Sequence, residues 1–309
     1  MAFHFADNLL EAIGEKGSPV CVGLDPVFDR LPKEYQADVS DEVDRVAAMG
    51  RFCREVLEIV APIVPVVKIQ SAYFERYGST GVDLYENLTD LAHSLDLLVI
   101  GDVKRNDIGS TAEAYAQGHL RGLFSPYGDN GGQRVDAVTV NPYLGSDGIQ
   151  PFIDTAVEQA KGLFVLVRTS NPSAKEIQDF ADSSGVKFFE RVAEMVARLG
   201  AAGEDLVGSS GYSCVGAVVG ATYPDEARKL RQLMPQQIFL VPGYGAQGAT
   251  AADCAASFKA DGTGAIVNAS RSVLFAGNDK KYAGLDWKQA VEQSCREFAA
   301  DIAAAVKKA

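Results

Sequence analysis

No run of eighteen apolar residues occurs in the 309-residue chain, so a transmembrane helix is not expected. The opening Met1-Ala2-Phe3-His4-Phe5 lacks a basic segment followed by a long apolar one, and no secretory signal is read there. Cysteine is sparse: Cys21, Cys53, Cys214, Cys254 and Cys295 stand far apart, without the pair spacing of a metal site. Unpaired thiols in a reducing cytosol are the economical reading, so the chain is expected to be cytoplasmic and metal-free. Positive charge is also short, with 29 Lys and Arg against 41 Asp and Glu and a formal net charge of -12. That balance disfavours nucleic acid and anionic membrane as partners, although a local basic cluster can still take a small phosphorylated ligand. No linker rich in proline, glycine and serine divides the sequence; length alone admits one large domain or two smaller ones, and a single domain over residues 1–309 is the expectation.

What the chain does have is alternation. Short, nearly continuous apolar runs at Val20–Leu24, Val64–Ile69, Leu97–Asp102, Ala137–Val140, Leu163–Val167, Val215–Val219, Ile238–Val241 and Ala265–Val267 read as strands of a covered parallel sheet. Amphipathic stretches fill most intervals. From Asp44 to Val60 the apolar residues recur at spacings of three and four, and similar stripes run through Phe188–Leu199 and Asp286–Lys308. Pro224, followed by Asp225 and Glu226, marks another helix start. Eight strand-helix units favour an α/β fold of the (β/α)₈ TIM-barrel type, with a doubly wound sheet as the competitor. The segment Phe5 to Ile13 supplies an additional N-terminal helix to cover the end of the barrel opposite the βα loops. Gly122–Arg134 and Thr169 to about Gly185 are rich in turn formers and read as polar loops or short excursions.

Charges at strand ends are the next feature. Asp25 follows one apolar strand and Lys68 lies within the second, where each alone reads equally as a strand-end ion-pair member. In Leu97-Leu98-Val99-Ile100-Gly101-Asp102-Val103-Lys104, residues 102 and 104 are two apart, so an extended backbone points both to one face. Asp107 follows in the loop, and Thr111, four residues on, shares its side if a helix begins early. The plainer interpretation is a salt-bridged barrel rim. Burying such an array costs free energy unless every charge is paired. Paired, it can hold a protonated lysine beside a developing carbanion and oppose a substrate carboxylate, since like charges about 4 Å apart interact by about 4 kcal/mol at an effective dielectric near 20.

The last two strands run into Pro242-Gly243-Tyr244-Gly245-Ala246-Gln247-Gly248 and Asn268-Ala269-Ser270-Arg271. Backbone donors in the first and a guanidinium in the second suit a phosphate, and adjacent loops after strands seven and eight are a recurrent phosphate site in barrels. Turns and a structural salt bridge remain the alternatives. Thr139-Val140-Asn141-Pro142 and Arg168-Thr169-Ser170-Asn171-Pro172 place further polar groups after strands, either as ring-contacting hydroxyls or as hydrogen-bonded turns.

Taken together, Gly23-Leu24-Asp25-Pro26, Val67-Lys68, Gly101-Asp102-Val103-Lys104-Arg105-Asn106-Asp107-Ile108, Arg168-Thr169-Ser170-Asn171, Pro242-Gly243-Tyr244-Gly245-Ala246-Gln247 and Arg271 resemble the orotidine 5'-phosphate decarboxylase family, in particular a longer bacterial branch. Asp-x-Lys-x-x-Asp at 102, 104 and 107, with Lys68 on the preceding strand, is the most specific part. The resemblance implies decarboxylation of orotidine 5'-phosphate to uridine 5'-phosphate without metal or organic cofactor. It makes Lys104 the proton donor to C6 of the pyrimidine and sets Asp102 beside the substrate carboxylate, with Lys68 and Asp107 completing the charge network. Asp25 and Lys68 would contact ribose hydroxyls, Ser170 the pyrimidine, and Gln247 and Arg271 the phosphate, with Tyr244 in a loop that closes over the ligand. It also implies a homodimer in which Asp107 and Thr111 cross into the partner's site. The stretches Gly122–Arg134 and Thr169–Gly185 depart from the shorter family layout. A Schiff-base aldolase and a nonenzymatic phosphosugar-binding protein are the competing readings.

Overall fold

A computed structural model describes residues 4–37, 39–122, 134–245 and 247–308. Its eight strands are β1 (Val20–Leu24), β2 (Val66–Gln70), β3 (Leu98–Arg105), β4 (Ala137–Val140), β5 (Gly162–Arg168), β6 (Ser213–Val219), β7 (Gln237–Pro242) and β8 (Ala265–Ala269). Each pairs in parallel with the next, and β8 pairs with β1, so the sheet closes into a barrel in sequence order. Closure decides against the doubly wound sheet, which would leave two edges. The strands extend past their apolar runs mainly at the C-terminal end, to Gln70, Arg105, Arg168, Pro242 and Ala269. There the barrel interior accepts polar side chains, because it opens into a cavity.

Long helices return the chain between strands. Glu42–Val60 starts from Asp41, whose carboxylate accepts from the Asp44 amide, and buries the stripe through Val46, Met49, Cys53, Val56 and Val60. Pro224 opens Pro224–Leu233 at a position where no amide partner is needed. The C-terminal helix runs Trp287–Val306 behind Asp286, its N-cap, and Gln289 completes a capping box.

The N-terminal helix Phe5–Lys16 closes the barrel's lower end. Phe5 meets Phe164 edge to face at 6.0 Å and fills the space above Gly162, where a Cβ would lie 2.1 Å from its ring. Burying that ring contributes about 1.5–3 kcal/mol. Asp7 then fixes the helix by accepting from the amides of Ser209 and Ser210, just ahead of β6.

Of the two stretches read as loops, residues 123–133 lie outside the described residues. The second is more ordered than its composition suggests. It contains a turn of 3₁₀ helix at Pro172–Ala174, the helix Lys175–Gln178 and an antiparallel bridge between Ala181 and Lys187. Its organiser is Arg168, whose guanidinium is buried and draws the excursion down onto the barrel.

Candidate active site

Asp25, Lys68, Asp102, Lys104, Ser170, Gln247 and Arg271 all line one cavity of about 950 Å³ at the C-terminal ends of the strands. These positions lie far apart in sequence. The barrel register brings them together by aligning Gly23 with Lys68 and Gln70 with Asp102.

Asp102 is the centre of the charged side. Its Oδ2 accepts from Lys68 Nζ at 2.8 Å and from Gln70 Nε2 at 2.8 Å, while Oδ1 accepts from Lys104 Nζ at 2.5 Å and from Thr139 Oγ1 at 2.9 Å. Burial alone would raise this carboxyl's pKa, but the two ammonium groups and their hydrogen bonds reverse that and hold it below the usual carboxylate range. Lys68 shows the mirror case: burial favours the neutral amine, yet Asp102 and Asp25, the latter at 3.6 Å, raise its pKa and keep it an ammonium. Neighbouring Cys21 is no competing nucleophile, since burial pushes its thiol up to about 12.

Lys104 departs from the extended geometry expected of it. Its φ is +45°, and the β3–β4 register shifts between Gly101 and Arg105. This left-handed residue costs on the order of 1 kcal/mol, offset in part where its amide donates to Thr139 Oγ1 at 3.0 Å. The kink directs the ammonium to Asp102 while leaving the side chain 46% exposed to the cavity. Lys68, by contrast, is buried, between Asp102 and Asp25.

Following β8, which pairs with β1, Arg271 is exposed, lines the cavity and makes no ion pair with any described residue. The structural salt bridge considered for it is therefore absent among the described residues. Asn268 and Ser270 line the floor beside it, and Gly23 leaves them room: a Cβ there would stand 2.0 Å from Ser270 Oγ. Gly243, at φ +117°, turns the chain away from β7 in a conformation that favours glycine. Tyr244 lines the cavity, but its hydroxyl donates to Asp301 at 2.8 Å and its ring packs on Phe298, so here it is anchored to the C-terminal helix.

Asp107 and Thr111 are not brought into the cavity of their own chain. The following helix begins only at Gly109, so the pair does not share a helical face; Asp107 accepts from the Ile108 amide, and Thr111 is exposed. Sequence reading also passed over Gln70 and read Thr139 only as part of a polar segment, whereas both donate to Asp102. Both were findable as polar residues within apolar strands, Gln70 being two places beyond Lys68 and so on the same face. No group of three or more His, Cys, Asp and Glu that could hold a metal ion occurs among the described residues.

Comparison with known proteins points one way. Residues 18–284 match the model of the Orotidine 5'-phosphate decarboxylase / HUMPS family. Orotidine 5'-phosphate decarboxylase from Rhodopirellula baltica is 44% identical over 296 residues, covering 93% of this chain and 95% of that protein. The Clostridium perfringens protein of the same name is 38% identical over 290 residues, with 93% and 95% covered. A crystal structure assigned to this decarboxylase from Streptomyces avermitilis superposes with a TM-score of 0.79 at 37% identity, covering 98% of this chain and 96% of the other. Leishmania donovani OMP decarboxylase gives 0.74 at 28% identity, with 99% and 100% covered.

Proposed function

The chain belongs to the orotidine 5'-phosphate decarboxylase / HUMPS family, and from that premise we propose how its side chains divide the work. It decarboxylates orotidine 5'-phosphate to uridine 5'-phosphate and carbon dioxide, a step of pyrimidine biosynthesis. One observation carries the residue assignments: four charges of alternating sign, Asp25, Lys68, Asp102 and Lys104, line one cavity together with Arg271, which has no ion pair among the described residues.

Arg271 and Gln247 hold the phosphate, Asp25 and Lys68 the ribose hydroxyls, and Ser170 the pyrimidine. Phosphate binding then orients the reacting end, so that energy from a remote group serves the chemistry. Asp102 stands beside the substrate carboxylate and opposes it. The bond between C6 and the carboxylate carbon breaks, carbon dioxide leaves, and the electron pair stays on C6. Lys104 donates a proton to C6 and is left as an amine beside Asp102, to be recharged from solvent. Repulsion on the scale of about 4 kcal/mol contributes, and stabilisation of the carbanion by the ammonium supplies a further part.

Asp107 and Thr111 act in the site of a second copy. That reading is supported by their position outside their own cavity and by exposed Ile108, Tyr143 and Leu144 on the same and the neighbouring loop. The exposed apolar side chains suit an interface between copies. A single domain spanning 1–309 and a cytoplasmic location complete the reading; five buried, unpaired cysteines suit a reducing compartment. No helix of the described residues is long and apolar enough to cross a membrane. A Schiff-base mechanism needs a neutral amine, whereas Lys104 is hydrogen bonded to a carboxylate, an arrangement that suits proton donation.

The deciding assay incubates purified protein with orotidine 5'-phosphate and excess chelator, and follows loss of substrate and appearance of uridine 5'-phosphate. Turnover is expected. Tight binding without product would favour a phosphosugar-binding protein, and borohydride trapping of an adduct on Lys104 would favour the aldolase.

A further inference from the structure

Arg168 does not line the cavity, yet its surroundings are those of a built device. The side chain is 1% exposed at the end of β5. Its guanidinium lies between the rings of Tyr223 at 4.2 Å and Phe189 at 4.9 Å. Nε donates to Glu226 at 2.6 Å, and Nη2 stands 2.9 Å from Asp179, close enough for an ion pair though bent away from a hydrogen bond. Lys187 bridges the same two carboxylates from outside. Thus one buried cation joins the strand, the excursion 169–187 and the helix Pro224–Leu233.

The connection continues toward the cavity. Arg168 Nη1 donates to Gln178 Oε1 at 3.4 Å, and the same oxygen accepts from the Thr169 amide at 3.0 Å. Gln178 Nε2 donates to Thr169 Oγ1 at 2.7 Å, whose own hydroxyl donates to Asn171 at 2.6 Å. The residues on both sides of Ser170 are thereby fixed. Behind Ser170 stands Gly220, where a Cβ would lie 3.0 Å from the serine Cβ, and the Gly220 amide donates to the Arg168 carbonyl at 2.8 Å. Ser170 is therefore flanked by tied residues, in a place that the absent side chain of Gly220 leaves open for it.

We propose that Arg168 is a positioning residue for the base end of the cavity, acting through Gln178 and Thr169 to fix Ser170. This rests on the reading that Ser170 faces the pyrimidine. The relay sets the hydroxyl's place before substrate arrives, so its loss weakens recognition of the base and leaves the phosphate end intact.

The test compares Arg168→Met, Gln178→Met, Gln178→Glu and Ser170→Ala with the unaltered enzyme, measuring affinity for uridine 5'-phosphate and for ribose 5-phosphate, which has no base. Arg168→Met and Gln178→Met are expected to weaken uridine 5'-phosphate about tenfold and ribose 5-phosphate less than about twofold. Gln178→Glu keeps the acceptor for Arg168 and the Thr169 amide but loses the donor to Thr169 Oγ1, and should recover part of the loss. Combined with Ser170→Ala, either methionine variant should add little, because both act through one contact. Equal weakening of both ligands, or full additivity with Ser170→Ala, would overturn the proposal. Should Arg168→Met fail to fold, the Gln178 pair decides alone, since it leaves the buried ion pairs in place. An unaltered enzyme without turnover of orotidine 5'-phosphate would instead sink the functional reading on which this rests.

Discussion

Replacing Asp102 by asparagine removes the charge on which the site is built while keeping the shape of the side chain. Four donors converge on the carboxylate: Lys68, Gln70, Lys104 and Thr139. An amide oxygen can keep two of them, but its NH₂ then opposes the other donors across contacts that measure 2.8 Å in the native protein. Lys68 is left buried with only Asp25 at 3.6 Å. Breaking a buried ion pair costs about 3–5 kcal/mol, and retention of Asp25 puts the expected loss near the lower end, about 3 kcal/mol. Lys104 adds under about 1 kcal/mol, being half exposed. Chemical denaturation should report that difference, and Tm should fall by roughly 4–6 °C. The pH profile follows from the shifts. Asp102, its pKa depressed, contributes fully above the unfolded value of 3.8 and loses that contribution as pH falls toward its folded value; Lys68, its pKa raised, contributes fully below 10.5 and loses it at higher pH. The gap between the two proteins should therefore be flat from about pH 5 to 9 and narrow in acid. A gap below about 1 kcal/mol at neutral pH, or one that widens in acid, would refute the reasoning.

Arg271→Ala should raise KM for orotidine 5'-phosphate by about 10- to 100-fold, the worth of a charge-assisted phosphate contact, while stability stays within about 0.5 kcal/mol. Unchanged affinity would remove Arg271 from the phosphate site. His119 is a separate case, away from the cavity: burial, with Arg105 and Arg134 nearby, lowers its pKa from 6.5 to about 4. Its neutral form thus supports the fold above pH 6.5, and that support declines between the two values by at most about 1.4 kcal/mol per pH unit. His119→Gln should flatten this limb of a urea-midpoint profile, and identical slopes would show that the histidine is not held neutral.

The barrel was legible because its outer face is regular: each strand is apolar enough to be covered by a helix, and each helix carries one apolar stripe. Strand ends were read short where the chain turns polar inside, as at Gln70 and Asn268, since an apolar pattern cannot register a strand that opens into a cavity. The charged positions were visible in the alternation of β3. The positive φ of Lys104 was not, because it depends on a register shift against β4. Composition likewise suggested a polar loop or short excursion after β5. What orders it is the buried Arg168, which holds Gln178 and Asp179 of the excursion together with Glu226, 58 residues away, a set of charged contacts that an apolar pattern does not register. Asp107 and Thr111 were noted for their spacing of four, but the role proposed for them came from family resemblance alone; neither lines the cavity of its own chain.

The role of Lys104 is tested most directly by turnover of orotidine 5'-phosphate by Lys104→Ala, read beside its affinity for uridine 5'-phosphate. The account predicts a fall in kcat of at least about 10³-fold, with product affinity changed less than about tenfold. Near-normal kcat would mean that the proton reaches C6 from another group.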